Sequence, residues 1–289
     1  MNELINRIVG QLTANPIGAW TGTEAEKAVE KAYLNMLRNT YIRTLTDISG
    51  YFQETRQQFS NIQIIEFGTY LGVVSRALVE LGFQVTASDF PKIFENARVR
   101  QLFRDAGVKL HPQDLACRME CLESDFFDGV IMCETLEHLP FNPVPLLDEL
   151  NRMLKPGGLL YLTVPNIASL RNRVLLLCGQ SICNPIADFF EQLRPNSPMT
   201  VGLHWREYTK AELEAMLGGL GFQFHSTRYY DIPGPKFRSG LGSLVKKSLL
   251  ALFPALSSTV VVMAKKAARS NPKEASHIGK GTLELARSS

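Results

Sequence analysis

Short apolar runs alternate with amphipathic stretches along the middle of the chain, beginning near Ile62. The apolar runs predict buried strands at about 62–67, 83–88, 108–111, 127–133 and 158–164. The stretches at 72–81 and 144–154 carry apolar side chains at helical spacing and predict two of the connecting helices. Strands that alternate with helices in this way are typical of an α/β fold with a mainly parallel sheet covered on both faces.

A helical pattern with apolar positions such as Val29 precedes the first strand. Thr23 and Glu26 resemble a capping box at the start of this helix, and Gly50 is a suitable stop. We therefore expect residues 1–60 to form a helical segment. It either packs on the edge of the sheet or acts as a lid over a substrate pocket.

The alternation lapses after Asn166 for about 40 residues, which is longer than an ordinary loop. We expect an inserted region at about 167–207 that covers the ligand crevice, because insertions at the carboxyl end of a strand lie over that crevice. A helix is predicted at 170–177, and the proline-rich stretch at 184–200 is expected to be irregular.

Regular structure resumes where Thr209 and Glu212 form a second capping-box pattern. A strand is predicted after Gly221, and the apolar run at 257–265 predicts a final buried strand. The principal domain should thus span 61–265. Residues 266–289 are polar and basic, so a disordered tail is expected there.

The first strand ends on an acid and enters a glycine turn that opens a helix, with Glu66, Gly68, Thr69 and Gly72 as its main positions. Glycines permit positive φ and close backbone approach, and the free amides of a helix start can receive an anionic group. Asp89 follows about 20 residues later at the end of the next strand, where an acid can accept hydrogen bonds from ribose hydroxyls. This pattern predicts a nucleotide-cofactor site.

Several ordered motifs resemble those of class I S-adenosylmethionine-dependent methyltransferases. They are EFGTYLG at 66–72, Asp89, FDGVIM at 127–132, ETLEHL at 134–139 and LKPGGL at 154–159. The resemblance implies a Rossmann-like, seven-stranded, mostly parallel sheet with one antiparallel strand. It also implies that S-adenosylmethionine binds across the carboxyl ends of the strands.

The resemblance assigns the methionyl end of the cofactor to Glu66 and the glycine turn, and the ribose hydroxyls to Asp89. A glutamate at position 66 replaces the commoner aspartate, and Tyr70 occupies a place often held by glycine. The Tyr70 ring either lies beside the cofactor or faces outward, and we expect the outward orientation. For Asp89 the alternative is a capping role before Pro91.

By its order in the chain, Asp114 matches the family position that contacts adenine, with Leu115 alongside it. Asp114 has the alternative of capping the following turn. Cys133 and Glu134 follow the fourth strand, so they should lie at the mouth of the crevice beside the methionyl group.

Methyl transfer requires in-line alignment, and a hydroxyl acceptor also benefits from a general base. His138 and His204 are the candidates for that base, because the pKa of histidine suits the task. Each has a structural alternative: His138 as a hydrogen-bonding residue and His204 as an anchor of the inserted region.

We therefore expect a small-molecule O-methyltransferase, and the resemblance favours a hydroxyl on a sugar or related metabolite as acceptor. Quinone, polyketide and amine acceptors stay open. A catalytically inactive cofactor-binding interaction module is one alternative. An NAD-dependent oxidoreductase is another, disfavoured because the turn lacks the G-x-G-x-x-G spacing of pyrophosphate sites.

The formal net charge of +3 is small and dispersed, so we expect no nucleic-acid partner. Five cysteines without CxxC spacing indicate neither disulfides nor a metal site, and reduced thiols in the cytoplasm are expected.

The first residues do not resemble a secretory signal, and no apolar run is long enough to span a bilayer. Residues 241–253 either pack on the core or make a weak peripheral membrane contact.

Overall fold

The computed structural model describes residues 1–55, 58–191, 193, 202–232 and 241–267. The helices follow in chain order: α1 Asn2–Ala14, α2 Glu24–Met36, α3 Arg38–Glu54, α4 Val73–Glu80, α5 Ala97–Asp105, α6 Val144–Met153, α7 Leu170–Leu177, α8 Ile186–Glu191, α9 Lys210–Gly219 and α10 Leu241–Leu252. The strands are β1 Gln63–Phe67, β2 Gln84–Asp89, β3 Lys109–Pro112, β4 Phe127–Cys133, β5 Leu154–Pro165, β6 Phe222–Tyr230 and β7 Thr259–Lys266.

The strands form a seven-stranded sheet in the order β3-β2-β1-β4-β5-β7-β6. Only β7 runs antiparallel to its neighbours, pairing with β5 on one side and β6 on the other. Buried apolar clusters cover both faces of the sheet, as expected for strands with continuous apolar runs. The predicted α/β, mostly parallel sheet with one antiparallel strand is confirmed.

The strand order reverses between β1 and β4, which are paired as neighbours with Phe67 opposite Met132. In open α/β sheets, a crevice forms beyond the carboxyl ends of the strands at such a reversal. The glycine turn after β1 and the loop after β4 therefore lie side by side at the edge where a ligand is expected.

Three helices, rather than one, precede the sheet. Thr23 caps α2 by accepting a hydrogen bond from the Glu26 amide, as predicted. However, the Glu26 carboxylate accepts from the amides of Trp20, Thr21 and Gly22. Gly50 does not stop a helix, because α3 continues to Glu54. The apolar Val29 lies off the buried face of α2, since its side chain is 67% exposed.

The inserted region begins with α7 at the predicted position. Part of the stretch at 184–200 is the helix α8, so the expectation of an irregular segment is wrong there. The two ends of the insertion meet beside the sheet, because the Ile167 amide donates to the Tyr208 carbonyl at 3.3 Å. The capping box of Thr209 and Glu212 is present in full at the start of α9.

The final strand extends one residue beyond the predicted end of the domain, with Lys266 buried in β7. Its ammonium donates to the Leu154 carbonyl at 2.8 Å and pairs with Asp125. The expected tail lies, except for Lys266 and Ala267, outside the described residues. Among the residues described, no helix combines the length and apolarity needed to cross a membrane.

Candidate active site

The turn between β1 and α4 has the left-handed backbone that glycine favours. Gly68 has φ 71° and Gly72 has φ 64°. A Cβ at Gly68 would overlap the Thr135 side chain, and a Cβ at Gly72 would overlap the Phe103 ring. Glycine is therefore required at both positions for backbone conformation and for close packing.

Tyr70 adopts φ 49° in the same turn, a conformation that is uncommon for a residue with a side chain. Its amide donates to the Asp89 carboxylate at 2.7 Å, which holds the turn against the end of β2. Its ring meets Tyr33 of α2 edge-on at 5.8 Å, and its hydroxyl donates to Glu30 at 3.4 Å. The expected outward orientation is wrong, because Tyr33 and Glu30 of α2 cover this ring.

Two acids lie at the base of the cleft, at the ends of β1 and β2. The Glu66 carboxylate accepts a hydrogen bond from the Ser75 hydroxyl, and burial raises its pKa to about 7. The Asp89 carboxylate accepts from the amides of Tyr70 and Phe90, both at 2.7 Å. Burial raises the pKa of Asp89 to about 6 despite these hydrogen bonds. Asp89 thus stabilises two backbone amides at the predicted ribose position.

The loop after β3 lies beside Asp89, because the Gln113 amide donates to the Asp89 carbonyl at 2.9 Å. Asp114 is half-buried and accepts from the Ala116 amide at 3.0 Å, which is the turn-capping contact considered from sequence. Leu115 is half-buried and packs against a core cluster. These two residues occupy the edge of the crevice on the Asp89 side.

Cys133 ends β4 and Glu134 follows it, and both residues line the cleft opposite the glycine turn. The Cys133 sulfur lies 4.0 Å from the Thr44 hydroxyl of α3, and burial raises the pKa of its thiol. Glu134 has φ 47°, and its carboxylate accepts from the Thr163 hydroxyl at 2.9 Å. Burial raises the pKa of Glu134 to about 7.

A cleft lies between these elements, where the glycine turn faces the end of β4. The N-terminal helices and the sheet edge both contribute to its walls, including Tyr33, Tyr41, Thr44, Glu66, Gly68 and Glu134. The buried Thr69 hydroxyl in this wall has no hydrogen-bond partner among the described residues. A glycine cradle with a free hydroxyl and two acids provides both donors and acceptors for a polar ligand.

The two candidate histidines meet where the loop after β4 contacts the inserted region, with ring centroids 4.8 Å apart in an edge-to-face arrangement. The His138 Nδ1–H donates to the Leu203 carbonyl at 2.9 Å, and the His204 Nδ1–H donates to Glu207 at 3.2 Å. Burial, with a contribution from His204, lowers the pKa of His138 to about 4. The Nε2 atom of each histidine is therefore directed away from the oxygen that accepts from Nδ1–H.

Glu137 lies beside this pair and is only 1% exposed. Neither oxygen of its carboxylate has a hydrogen-bond partner in the described protein. Its backbone carbonyl accepts from the Trp205 amide at 2.7 Å, which fixes the inserted region against the loop after β4. Burial and the Glu134 charge raise the pKa of Glu137 well above its usual value.

Sequence reasoning missed Glu207, Glu30 and Tyr33 as contributors to the site. Glu207 follows His204 by three residues, and that short spacing was an available signal for a carboxylate–imidazole pair. No local signal identified Glu30, because its role depends on how the N-terminal helices cover the glycine turn.

Comparison with known families shows which cofactor the chain uses. A family model described as a methyltransferase domain matches residues 35–227, which is more than half of the chain. The chain is a class I S-adenosylmethionine-dependent methyltransferase. The cofactor of the methyltransferase is accordingly S-adenosylmethionine. The turn, the buried acids and the free Thr69 hydroxyl provide the polar groups that such a ligand requires.

Sequence relatives agree with this assignment, and a solved structure shares the fold. A ubiquinone biosynthesis O-methyltransferase of Xanthomonas euvesicatoria is 28% identical over 63% of this methyltransferase and 71% of its own length. One from Xanthomonas oryzae is 31% identical over 46% of this chain and 51% of its own, so the chain spans about half of that relative. Magnesium protoporphyrin IX methyltransferase from Synechocystis, solved with bound SAH, has the same fold (16% identity, TM-score 0.51, 81% and 87% of the chains covered).

Proposed function

We propose that the methyltransferase transfers a methyl group to a hydroxyl oxygen of a small-molecule acceptor. The observation that carries this proposal is the pair of imidazoles where the loop after β4 contacts the inserted region, beside Glu134. Each imidazole is anchored through Nδ1, so Nε2 remains able to take a proton from an acceptor hydroxyl. The names of the O-methyltransferase relatives support the choice of oxygen.

S-adenosylmethionine supplies the activated methyl group when bound. In the proposed arrangement, the glycine turn and Glu66 hold its methionyl end, which carries both a carboxylate and an ammonium group. Asp89 accepts from the ribose hydroxyls, and Asp114 with Leu115 holds the adenine. Cys133 and Glu134 border the methionyl end, and the N-terminal helices act as a lid.

His204 is the better base of the two imidazoles. Glu207 accepts its Nδ1–H, and the Asn172 amide in turn holds Glu207 at 3.0 Å, so the ring orientation is fixed. His138 is the weaker base, because its lowered pKa disfavours the protonated form. In this proposal His138 positions the inserted region and contacts the acceptor.

Two classes of hydroxyl acceptor follow from different observations. The motif resemblance favours a sugar or related metabolite. Exposed apolar side chains on the inserted helices, among them Leu177, Ile186 and Phe190, favour an acceptor with an apolar ring or chain. The names of the relatives, which refer to ubiquinone biosynthesis, point in the second direction.

The decisive experiment incubates the full-length protein with methyl-labelled S-adenosylmethionine and an extract of host metabolites. Mass spectrometry of the labelled product should identify a methyl ether. The variant His204→Asn should lower the rate at saturating cofactor, while His225→Asn, in an exposed ring contact with Tyr51, serves as the matched control.

Calorimetric titration with S-adenosylmethionine and its demethylated product separates an enzyme from an inactive binding module. Binding without any labelled product across extracts would favour the module. Failure to bind either ligand would contradict the assignment of the cleft. A rise in the melting temperature of the protein with NAD, and none with S-adenosylmethionine, would favour an oxidoreductase instead.

A further inference from the structure

Three potential metal ligands converge where the inserted region meets the loop after β4. One ligand atom each from Glu137, His138 and His204 can be chosen such that all three lie within 4.8 Å of one another. The Nε2 atom of His138 is 3.8 Å from a Glu137 carboxylate oxygen. Sequence analysis indicated no metal site from the cysteines, but these ligands come from segments more than 60 residues apart and have no spacing motif.

The Glu137 carboxylate provides an independent reason to expect a cation. It is 1% exposed, and both of its oxygens lack hydrogen-bond partners, although buried carboxylates are normally paired or bound to a metal. Neither lysine nor arginine forms an ion pair with it among the described residues. A divalent ion between Glu137 and the two imidazoles would satisfy this group.

The surroundings of both histidines match those of metal-binding imidazoles. Metal-bound histidines generally donate their second ring N–H to a carbonyl or a carboxylate, which fixes the tautomer. His138 donates to the Leu203 carbonyl at 2.9 Å, and His204 donates to the Glu207 carboxylate at 3.2 Å. Both Nε2 atoms are thereby left unprotonated and able to bind a metal.

The donor types indicate which metal fits. Two imidazoles with one carboxylate are the protein ligands of many catalytic Zn²⁺ sites, whereas Mg²⁺ and Ca²⁺ prefer oxygen ligands alone. Ligand atoms at about 2.0–2.2 Å from a Zn²⁺ ion lie within roughly 4 Å of each other. Small side-chain rotations would therefore bring the three ligand atoms from their present separations of up to 4.8 Å to binding distance. Three protein ligands leave a position for a water molecule or a substrate oxygen.

We propose that Glu137, His138 and His204 bind a divalent transition-metal ion, with Zn²⁺ as the best match. The role of the ion in catalysis rests on the proposed function, but its binding does not. The ion coordinates the acceptor hydroxyl and lowers the pKa of that hydroxyl, so its proton leaves to solvent. The oxygen lone pair then forms the O–C bond, and the electron pair of the broken C–S bond stays on sulfur. The imidazoles hold the ion and no longer act as the base.

Metal uptake tests the site without any acceptor. Apo full-length protein is titrated with Co²⁺, followed by visible absorption, and with Zn²⁺, followed by calorimetry. We expect one ion per chain, with binding at least tenfold weaker in His138→Asn, His204→Asn and Glu137→Gln. The two asparagine variants remove Nε2 while an amide N–H can still occupy the place of Nδ1–H.

Two further variants distinguish the ligands from their surroundings. Glu207→Gln should weaken binding of the ion by at most about tenfold, and by less than each ligand variant does, because it alters only the partner of a ligand. His225→Asn lies outside the cluster and should bind as the wild type does. Thermal unfolding and S-adenosylmethionine titration of every variant identify those that are folded.

The proposal is overturned if the wild type takes up no ion. It is also overturned if folded His138→Asn and His204→Asn bind with wild-type affinity, or if Co²⁺ shows a thiolate charge-transfer band, which would place the ion on the exposed cysteines. Metal uptake by a protein that methylates nothing would refute the proposed function and leave the metal site standing. Methyl transfer that survives metal removal would refute the role of the ion in catalysis.

Discussion

The raised pKa of Glu66 predicts that S-adenosylmethionine binding releases a proton. In the free protein, burial raises this pKa to about 7, so the acid is largely protonated at pH 6. If the cofactor's ammonium group lies beside the carboxylate, the charged form is favoured and the pKa falls. Affinity should therefore increase as the pH rises from about 4.5 to 7.

The size of the effect follows from the same values. A return of the pKa from about 7 to the ordinary range of glutamate corresponds to about 3.4 kcal/mol, or roughly 300-fold in affinity. Asp89, with a pKa of about 6, adds to the pH dependence in the same direction. Glu66→Gln should remove the larger contribution, and it preserves the bond from Ser75, because the amide oxygen can accept the same hydroxyl.

Calorimetry at pH 5.5, 6.5 and 7.5, in buffers of different ionisation enthalpy, measures both affinity and the number of protons released. Exposed Glu54→Gln, at the end of α3, is the matched control and should keep the wild-type slope. The reasoning is refuted if the wild type releases no proton in this range, or if Glu66→Gln retains the same dependence of affinity on pH.

The ligand-free protein provides a second measurement of the same pKa. A carboxyl whose pKa is raised in the folded state stabilises the fold fully below its unfolded pKa, and this contribution is lost as the pH rises through the folded pKa. For Glu66 that window runs from about 4.5 to about 7. The free energy of unfolding of wild type, relative to Glu66→Gln, should decrease across this window.

Three other changes test the packing around the site and its surface. Gly68→Ala should abolish cofactor binding and lower the melting temperature, because its Cβ overlaps the Thr135 side chain. The control Gly179→Ala has a similar φ of 68° but open space at Cβ, so it should cost only about 1–2 kcal/mol of stability. A similar loss of melting temperature in both variants would contradict the overlap. Glu30→Gln should lower the free energy of unfolding by about 1–3 kcal/mol. The two oxygens of the Glu30 carboxylate accept from the buried amides of Ile17 and Gly18 at 2.8 and 2.9 Å, whereas glutamine has only one oxygen that can accept. An unchanged midpoint in denaturant unfolding would contradict this. If the exposed end of α10 contacts lipid, Leu252→Asp with Phe253→Asp should reduce co-sedimentation with liposomes, whereas equal partition would exclude that contact.

The N-terminal helices show where a local pattern fails. Apolar positions before the first strand suggested one helix, but the backbone leaves helical geometry at Leu37, between α2 and α3. A break of this kind changes the rotational phase of the side chains, so one periodicity cannot describe both helices. Within α2 the apolar Val29 and Met36 are 67% and 47% exposed, whereas Glu30 and Leu34 are buried.

The sequence by itself determined the strands, the glycine turn and the capped start of α9, because each depends on residues close together in the chain. The turn after β1 requires the positive φ that glycine adopts easily at positions 68 and 72. The cap of α9 is formed by Thr209 and Glu212 alone. The tertiary structure alone decided the burial of Tyr70 under α2 and the meeting of His138 with His204. Those contacts join distant segments whose packing leaves no periodic signal, and they create the low-dielectric surroundings that shift the pKa values of the site.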